Sequence, residues 1–253
     1  MIPRPPTARI WRELKSAWAI TKKDARIYYL RPGIIMFGVL FPLFLFLSFA
    51  IGRNLSADVL VPGLMAISVF FAASSIGPMA VPTERKTKTY ERMVTAPVSP
   101  LSILFGEIAG GAIFGAIIAT IPLVIGIAIY GTRIANPVGL IGALILISFA
   151  FSAMGIMFAA IPTDNPGDVM MILNFIRLPL LFVSGIFIPV SAMGVYGVVA
   201  LASPLTYAKD IIQYALTGAG YYGPFIDTLG MVLFSGIFLW IGVYLHERNR
   251  RAG

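Results

Sequence analysis

The chain has 253 residues, of which 58% are hydrophobic and only 12% are charged, and its formal net charge is +8. Soluble domains carry roughly 25% charged residues, so the composition excludes an ordinary soluble enzyme, a disordered chain and a coiled coil. It predicts a protein dissolved mostly in lipid. Because the sequence contains no cysteine, disulfides, iron–sulfur clusters and thiolate zinc sites are excluded as well.

The first predicted element is an amphipathic helix over about residues 8–29. At 100° per residue, Trp11 and Trp18 fall on an apolar face, and basic residues fall on the opposite face. Ile20 and Ile27 break this pattern because they fall on the basic side. Tryptophan and tyrosine opposite a basic face are typical of a helix that lies in the lipid headgroup layer. Whether the helix also contacts a cytoplasmic partner stays open.

Six apolar runs follow, and each is long enough to cross a bilayer as a helix, which takes about 20 residues. The sequence therefore predicts an all-α polytopic membrane protein with one transmembrane domain over residues 1–253. A cytoplasmic interfacial helix occupies residues 1–32, the six-span region 33–245, and a cytoplasmic tail 246–253. The six runs are roughly residues 33–52, 59–81, 104–130, 138–161, 169–190 and 225–245.

The basic residues predict the orientation of the spans. Fifteen of them lie in the N-terminal arm, in the loop after the second run and in the tail. The loops on the opposite side carry only Arg53, Arg133 and Lys209. Cytoplasmic loops are enriched in lysine and arginine, so both termini are expected in the cytoplasm. The protein is expected to be a multi-pass protein of the cell membrane.

The loop after the second run predicts a short cytoplasmic helix that ends near Val94. Thr83 is a candidate N-cap, and Glu84 and Lys88 have the spacing of a favourable ion pair. Tyr90 contributes to an apolar edge. A helix with one charged and one apolar side suits docking into a groove of a partner protein. A solvated basic loop without a partner is the alternative.

Two features are predicted for the third run. Ser99-Pro100 has the residue types of an N-cap and a first helical residue, so the helix is expected to begin there. The pairs Gly106–Gly110 and Gly111–Gly115 follow the spacing that lets membrane helices pack closely. The pattern indicates a packed helix without saying which helix is its partner.

The fifth run contains Asn174, Arg177 and Ser184, which share one helical face. An arginine inside a span is costly and is often functional. Two interpretations are open: Arg177 forms a structural pair or reaches the interface, or the three residues line a polar translocation path.

After the fifth run, the stretch Met193–Ala202 is apolar but too short to cross the membrane. Ser203-Pro204 then predicts another helix start. That helix is expected to bury Leu205, Ala208 and Ile212 near the outer surface. It either shapes an exit gate or fills space.

The sequence lacks the residue patterns of a catalytic or metal site. Its one histidine is His246, and no histidine or acidic cluster has metal-ligand spacing. No lysine follows a glycine, so the chain has no P-loop. If nucleotide powers the protein, the ATPase is another polypeptide.

The layout resembles the membrane subunit of type-2 ATP-binding-cassette (ABC) exporters, a group that includes drug-resistance and polysaccharide-export permeases. The resemblance covers nearly the whole chain. Lys88 stands where the family usually has glycine, Gly194 stands where proline is common, and Gln213-Tyr214 replaces Leu-Arg. Three stretches carry the resemblance: Glu84-Arg85, Thr89, Glu91 and Thr95-Ala96-Pro97-Val98-Ser99; Ser184-Gly185-Ile186-Phe187-Ile188-Pro189; and Ser203-Pro204-Leu205-Thr206-Tyr207 with Asp210.

The resemblance implies a permease half-transporter with no cofactor and no catalytic residue of its own. A second permease chain, giving a homodimer, and cytoplasmic ATPase subunits that bind ATP and magnesium would complete it. The expected cargo is a lipophilic, amphipathic or lipid-linked molecule such as a drug. The alternatives are a glycan or lipid exporter of the same class and an ATP-independent channel or structural membrane protein. Nucleic acid is not an expected partner. The implied ATPase-coupling residues are Glu84, Arg85, Lys88, Tyr90, Glu91 and Arg92, and the outer-face motif is Pro204, Tyr207 and Asp210.

Overall fold

The computed structural model describes residues 6–51, 56–95 and 98–252 of the chain. Within these residues the chain forms helices and turns and no strand. Five helical stretches are long and apolar enough to cross a membrane, and a bent helix pair makes a sixth candidate. The predicted all-α polytopic membrane fold is therefore confirmed. The helices are α1 (Pro6–Ile27), α2 (Pro32–Ile35), α3 (Phe41–Ala50), α4 (Ala57–Ala73), α5 (Ile76–Lys86), α6 (Thr89–Thr95), α7 (Pro100–Tyr130), α8 (Pro137–Ala159), α9 (Pro166–Val183), α10 (Gly197–Ala200), α11 (Pro204–Thr217) and α12 (Pro224–Ala252).

The bent pair joins α1 to the first predicted span. The helical axis turns by 88° between the stretches Trp11–Ile27 and Pro32–Ser48. A helix perpendicular to a span lies along the membrane surface, as the amphipathic pattern predicts. A π-helical turn at Met36–Leu40 connects α2 to α3, and it precedes Pro42, whose ring would otherwise collide with the preceding turn.

The second predicted span is a central helix that breaks in the middle. Together α4 and α5 occupy Ala57–Lys86, and the break falls at Ser74 and Ser75. Pro78 causes the break because it lacks an N–H and clashes with the carbonyl four residues earlier. Both serine hydroxyls donate to carbonyls of the preceding turn, that of Ser75 to Phe71 O at 2.6 Å.

The glycines of α7 lie at close contacts with its helical neighbours. A Cβ on Gly106 or Gly110 would lie within 3 Å of α1, and a Cβ on Gly111 or Gly115 would lie within 3 Å of Ala73 in α4. The predicted close packing is confirmed. The structure adds the partners, α1 on one face and α4 on the other, where Ser152 of α8 also contacts Gly111.

Several helix boundaries are confirmed. Ser99 caps α7 and accepts a hydrogen bond from Ser102 N, and α11 begins at Pro204 with Leu205, Ala208 and Ile212 buried. The predicted helix start at Thr83 is wrong. Thr83 lies inside α5, which runs through to Lys86.

The helices between the fifth and sixth spans differ from one another in burial. Short turns and α10 carry the exposed side chains of Val195 and Val198, whereas most of α11 is buried among α4, α8 and α12. The fifth span is also shorter than predicted, since α9 ends at Val183 and Ser184 caps it.

Candidate functional site

The amphipathic helix α1 is docked on the first turns of α7. Gly106 forms the floor of the contact, where its added Cβ would lie 2.8 Å from Ile20 Cβ. Thr21 donates a hydrogen bond to the Gly106 carbonyl at 2.9 Å. Ile20 is buried, which explains why it breaks the two-faced pattern. The helix has a third face, and that face packs on protein.

A charge cluster lies at the end of this contact and joins three helices. We define it as Lys23 and Asp24 of α1, Glu84 of α5 and Glu107 of α7. The Lys23 ammonium forms an ion pair with Glu84 and lies 2.9 Å from Glu107 Oε1 and 3.1 Å from Asp24 Oδ1. The three carboxylates are buried, and Lys23 is 19% exposed.

The cluster keeps its lysine charged. Burial disfavours the ammonium, but the carboxylates of Glu107, Asp24 and Glu84 outweigh burial and raise the pKa of Lys23 above its ordinary value. Tyr28 also points into the cluster and donates to Glu84 Oε1 at 3.3 Å. The cluster therefore ties the amphipathic helix to both spans through one cation.

A second polar contact holds the other end of α1. The carboxylate of Glu13 accepts hydrogen bonds from the hydroxyls of Ser99 and Ser102, the first at 2.8 Å, at the start of α7. Carboxylates are favourable at a helix N-terminus because they complement its dipole. With both ends fixed, α1 and the start of α7 form one unit.

The turn between α5 and α6 contains Lys88 in an unusual conformation. Lys88 has φ of 55° and is the one non-glycine residue with positive φ among the described residues. A residue with a side chain loses roughly 1–2 kcal/mol of conformational free energy in the left-handed region. This cost is a physical reason for the glycine that type-2 ABC exporters usually have at this position. The predicted Glu84–Lys88 ion pair is wrong, because Glu84 pairs with Lys23.

The implied coupling residues occupy different environments. Glu91 and Arg92 are exposed on α6, whereas Glu84 is buried in the charge cluster. Arg85 donates to the carbonyl of Ile161 at 2.6 Å and so links α5 to the end of the fourth span. The side chain of Tyr90 lies outside the described residues, as do Arg53, Ala96 and Pro97.

Arg177 is fully buried beside the break in the central helix. Its guanidinium donates to Ser74 Oγ at 2.7 Å, to Ser75 Oγ at 3.2 Å and to Asn174 Oδ1 at 3.3 Å. It also stacks over the ring of Phe71 at 5.2 Å. These contacts fit the first interpretation, in which Arg177 has a structural role. A role in a translocation path stays a prediction.

The other two residues of the predicted polar face are separated by the structure. Asn174 lines a largely apolar cavity of about 420 Å³ between α5, α9 and the start of the first span, with Phe37, Met79 and Phe175. Ser184 lines a different, more polar cavity of about 320 Å³, with Lys209 and Asp210. Sharing a helical face therefore does not place the two residues in one cavity.

The outer-face motif folds the segment before the sixth span onto α11. The Asp210 carboxylate accepts hydrogen bonds from the backbone N–H of Tyr221 and of Tyr222 at 2.8 Å each. Tyr207 donates to the carbonyl of Leu201 at 3.1 Å, and Gly230 of α12 packs against its ring. Pro204 is the first residue of α11. These contacts join α11 to α12 and to the segment between them.

Sequence reasoning missed the charge cluster as a site. The sequence places Lys23 and Asp24 on an interfacial helix, with contacts to a cytoplasmic partner left open, and Glu84 in a cytoplasmic coupling helix, and neither placement brings them together. The available signal was Glu107, an acidic residue within an apolar run. A charge inside a span calls for a partner of opposite charge.

Comparison with models of known protein families gives a match. The family model described as ABC-2 type transporter matches residues 10–217, most of the chain. The matched range extends from α1 through the charge cluster to the end of α11. None of the curated proteins matches the chain.

Proposed function

The chain belongs to the ABC-2 type transporter family, and from this we propose that it is the permease subunit of an ATP-driven exporter. Members of the family are multi-pass membrane transport subunits that act with an ATP-binding-cassette subunit and are not themselves catalytic. The proposed cargo is a lipophilic, amphipathic or lipid-linked molecule, such as a drug, moved out of the cell.

The family match over residues 10–217 is the observation that carries the proposal. Contacts within the fold support coupling through α6. The exposed α6 adjoins α5, α5 ends in the charge cluster, and the cluster holds α1 and α7. A partner that pushes on α6 therefore acts on a connected unit of three helices.

The cavity at Asn174 supports an apolar cargo. Phenylalanine and methionine side chains dominate its walls, and Asn174 is the polar side chain among them. Pockets of this chemistry accept many apolar molecules with small differences in free energy. A lipid-linked glycan would place its lipid part against the same walls. The transport experiment below therefore distinguishes the candidate cargoes.

The proposed assembly contains two copies of this chain and two ATPase subunits that carry ATP and magnesium. The test is reconstitution of the chain with its ATPase in liposomes. A panel of drugs, lipids and lipid-linked glycans is offered as cargo, and we expect ATP-dependent transport of at least one of them. An ATPase variant that binds but cannot hydrolyse ATP is the control. Transport that continues without hydrolysis would favour the channel alternative, and a complex with one permease copy would contradict the homodimer.

Reversal of the exposed Glu91 to lysine should uncouple the complex. If α6 docks on the ATPase, placing a like charge at the contact costs more than about 1.4 kcal/mol of binding free energy, which corresponds to a tenfold loss of affinity. We expect transport to fall roughly tenfold or more while ATP hydrolysis and membrane insertion continue. Transport and hydrolysis are measured on the same liposomes. The matched control is Arg251→Glu on the exposed tail, and equal transport by both variants would remove Glu91 from the coupling contact.

The proposed orientation places α6 and both termini in the cytoplasm. Because the chain contains no cysteine, a single introduced cysteine reports its own side of the membrane. In intact cells, Arg133→Cys should react with a membrane-impermeant reagent, and Glu91→Cys should react only after the cells are opened. Labelling of position 91 in intact cells would contradict the orientation.

A further inference from the structure

The charge cluster does not balance its own charge. Three carboxylates surround a single ammonium, so the fully ionised cluster would carry a net charge of −2. Glu84 Oε2, Glu107 Oε2 and both oxygens of Asp24 accept no hydrogen bond from any described residue. Burying a carboxylate without a compensating charge costs several kcal/mol. The docked arrangement therefore favours uptake of a positive charge.

The surroundings of Asp24 leave it poorly compensated when ionised. The titratable groups that face it are Lys23, Tyr28 and Tyr29 of its own helix, Glu84 of α5 and Glu107 of α7. Lys23 is the one cation among them, and all three carboxylates share it, since it pairs with both glutamates and lies 3.1 Å from Asp24 Oδ1. On the remaining side is Gly110, whose added Cβ would lie 2.8 Å from Asp24 Oδ2.

We propose that the charge cluster holds a proton on Asp24 while α1 is docked on α7, and that undocking of α1 releases this proton to the aqueous phase. Docked, Asp24 is a neutral carboxylic acid beside the Lys23–glutamate pairs. Undocked, it meets water and ionises as an ordinary carboxyl group. Movement of the amphipathic helix is then linked to proton release whatever the cargo of the permease is.

The sign of the linkage follows from the two states of Asp24. Burial and, after it, the charge of Glu107 raise the pKa of Asp24 from 3.8 to about 9 when α1 is docked. Below the ordinary carboxyl pKa both states hold the proton, and docking does not depend on pH. Between that value and about 9 only the docked state holds it, so docking weakens by a factor of ten for each pH unit. Above about 9 neither state holds it, and the dependence ends.

Cysteine labelling measures this dependence directly. Ile20→Cys places the single thiol of the full-length protein under the docked helix, and Lys22→Cys places it on an exposed position of the same helix. The ratio of their labelling rates, taken in lipid nanodiscs, cancels the effect of pH on thiol chemistry. It reports the undocked fraction when docking is faster than labelling. We expect the ratio to rise about tenfold per pH unit between pH 5 and 9 and to level off above.

Two variants separate titration from mechanical docking. Asp24→Asn cannot ionise, so its ratio should be low and should no longer rise between pH 7 and 9. Gly110→Ala pushes against Asp24 without removing any titratable group, so its ratio should be higher at every pH with the same slope. A flat or falling ratio in the otherwise unchanged protein would overturn the proposal. An unchanged slope in Asp24→Asn would equally overturn it, because the proton would then be held elsewhere.

Discussion

Alanine at Gly155 should destabilise the protein, whereas alanine at Gly142 in the same helix should stabilise it. A Cβ on Gly155 would lie 2.5 Å from the carbonyl oxygen of Ser74, which is backbone at the break of the central helix. A Cβ on Gly142 would meet no atom within 4 Å. Replacing glycine by alanine raises the stability of the folded state by up to about 1 kcal/mol in an open helix interior. Overpacking lowers that stability by about 1–3 kcal/mol.

The measurement is the melting midpoint of the detergent-solubilised protein. Because the same substitution is made twice in α8, helix propensity cancels and the opposite signs report packing alone. The break cannot yield freely, since Ser74 also accepts a hydrogen bond from Arg177. Equal shifts for the two variants would show that α4 and α8 do not approach as closely as the structure has them.

Methionine in place of Lys23 should be among the most damaging single changes where α1 packs on α5 and α7. Removing one partner of a buried ion pair costs about 3–5 kcal/mol because the other charge stays buried. Here one ammonium serves three carboxylates. We expect a lower melting midpoint and loss of ATP-dependent transport as α1 leaves its groove on α7.

The neighbouring lysine provides the control for this prediction. Lys22 is exposed on α1, so Lys22→Met removes the same charge from the helix and should leave the midpoint nearly unchanged. Adding Glu84→Gln to Lys23→Met should restore part of the loss, because it removes one of the stranded carboxylates. Similar midpoints for Lys22→Met and Lys23→Met would mean that the charge cluster does not hold α1.

The spans could be predicted from the sequence because lipid leaves the backbone few alternatives. A segment in hydrocarbon must satisfy its own hydrogen bonds, so a long apolar run becomes a helix. Local chemistry was also informative at Ser99-Pro100 and Ser203-Pro204, because proline suits the first turn of a helix at both places and Ser99 in addition caps α7. The same local reasoning failed at Thr83, because α5 continues past it to Lys86.

The charge cluster could not be predicted because its members are distant in sequence and meet only when helices pack. Lys23 and Glu84 each have a plausible local interpretation, as a surface charge and as one half of a helical ion pair. In the structure the two residues instead form an ion pair with each other, between α1 and α5. Ile20 shows the same limit, since a two-faced pattern has no place for a residue that packs on a third surface.

Composition and periodicity thus determined that this chain is a bundle of membrane-spanning helices with an amphipathic helix at its start, because burial in lipid acts on each segment separately. The tertiary structure alone decided which helix each glycine of α7 contacts and where Arg177 finds its hydrogen bonds. It also decided that three carboxylates share one lysine. Those outcomes depend on the distance between helices, which no single segment specifies.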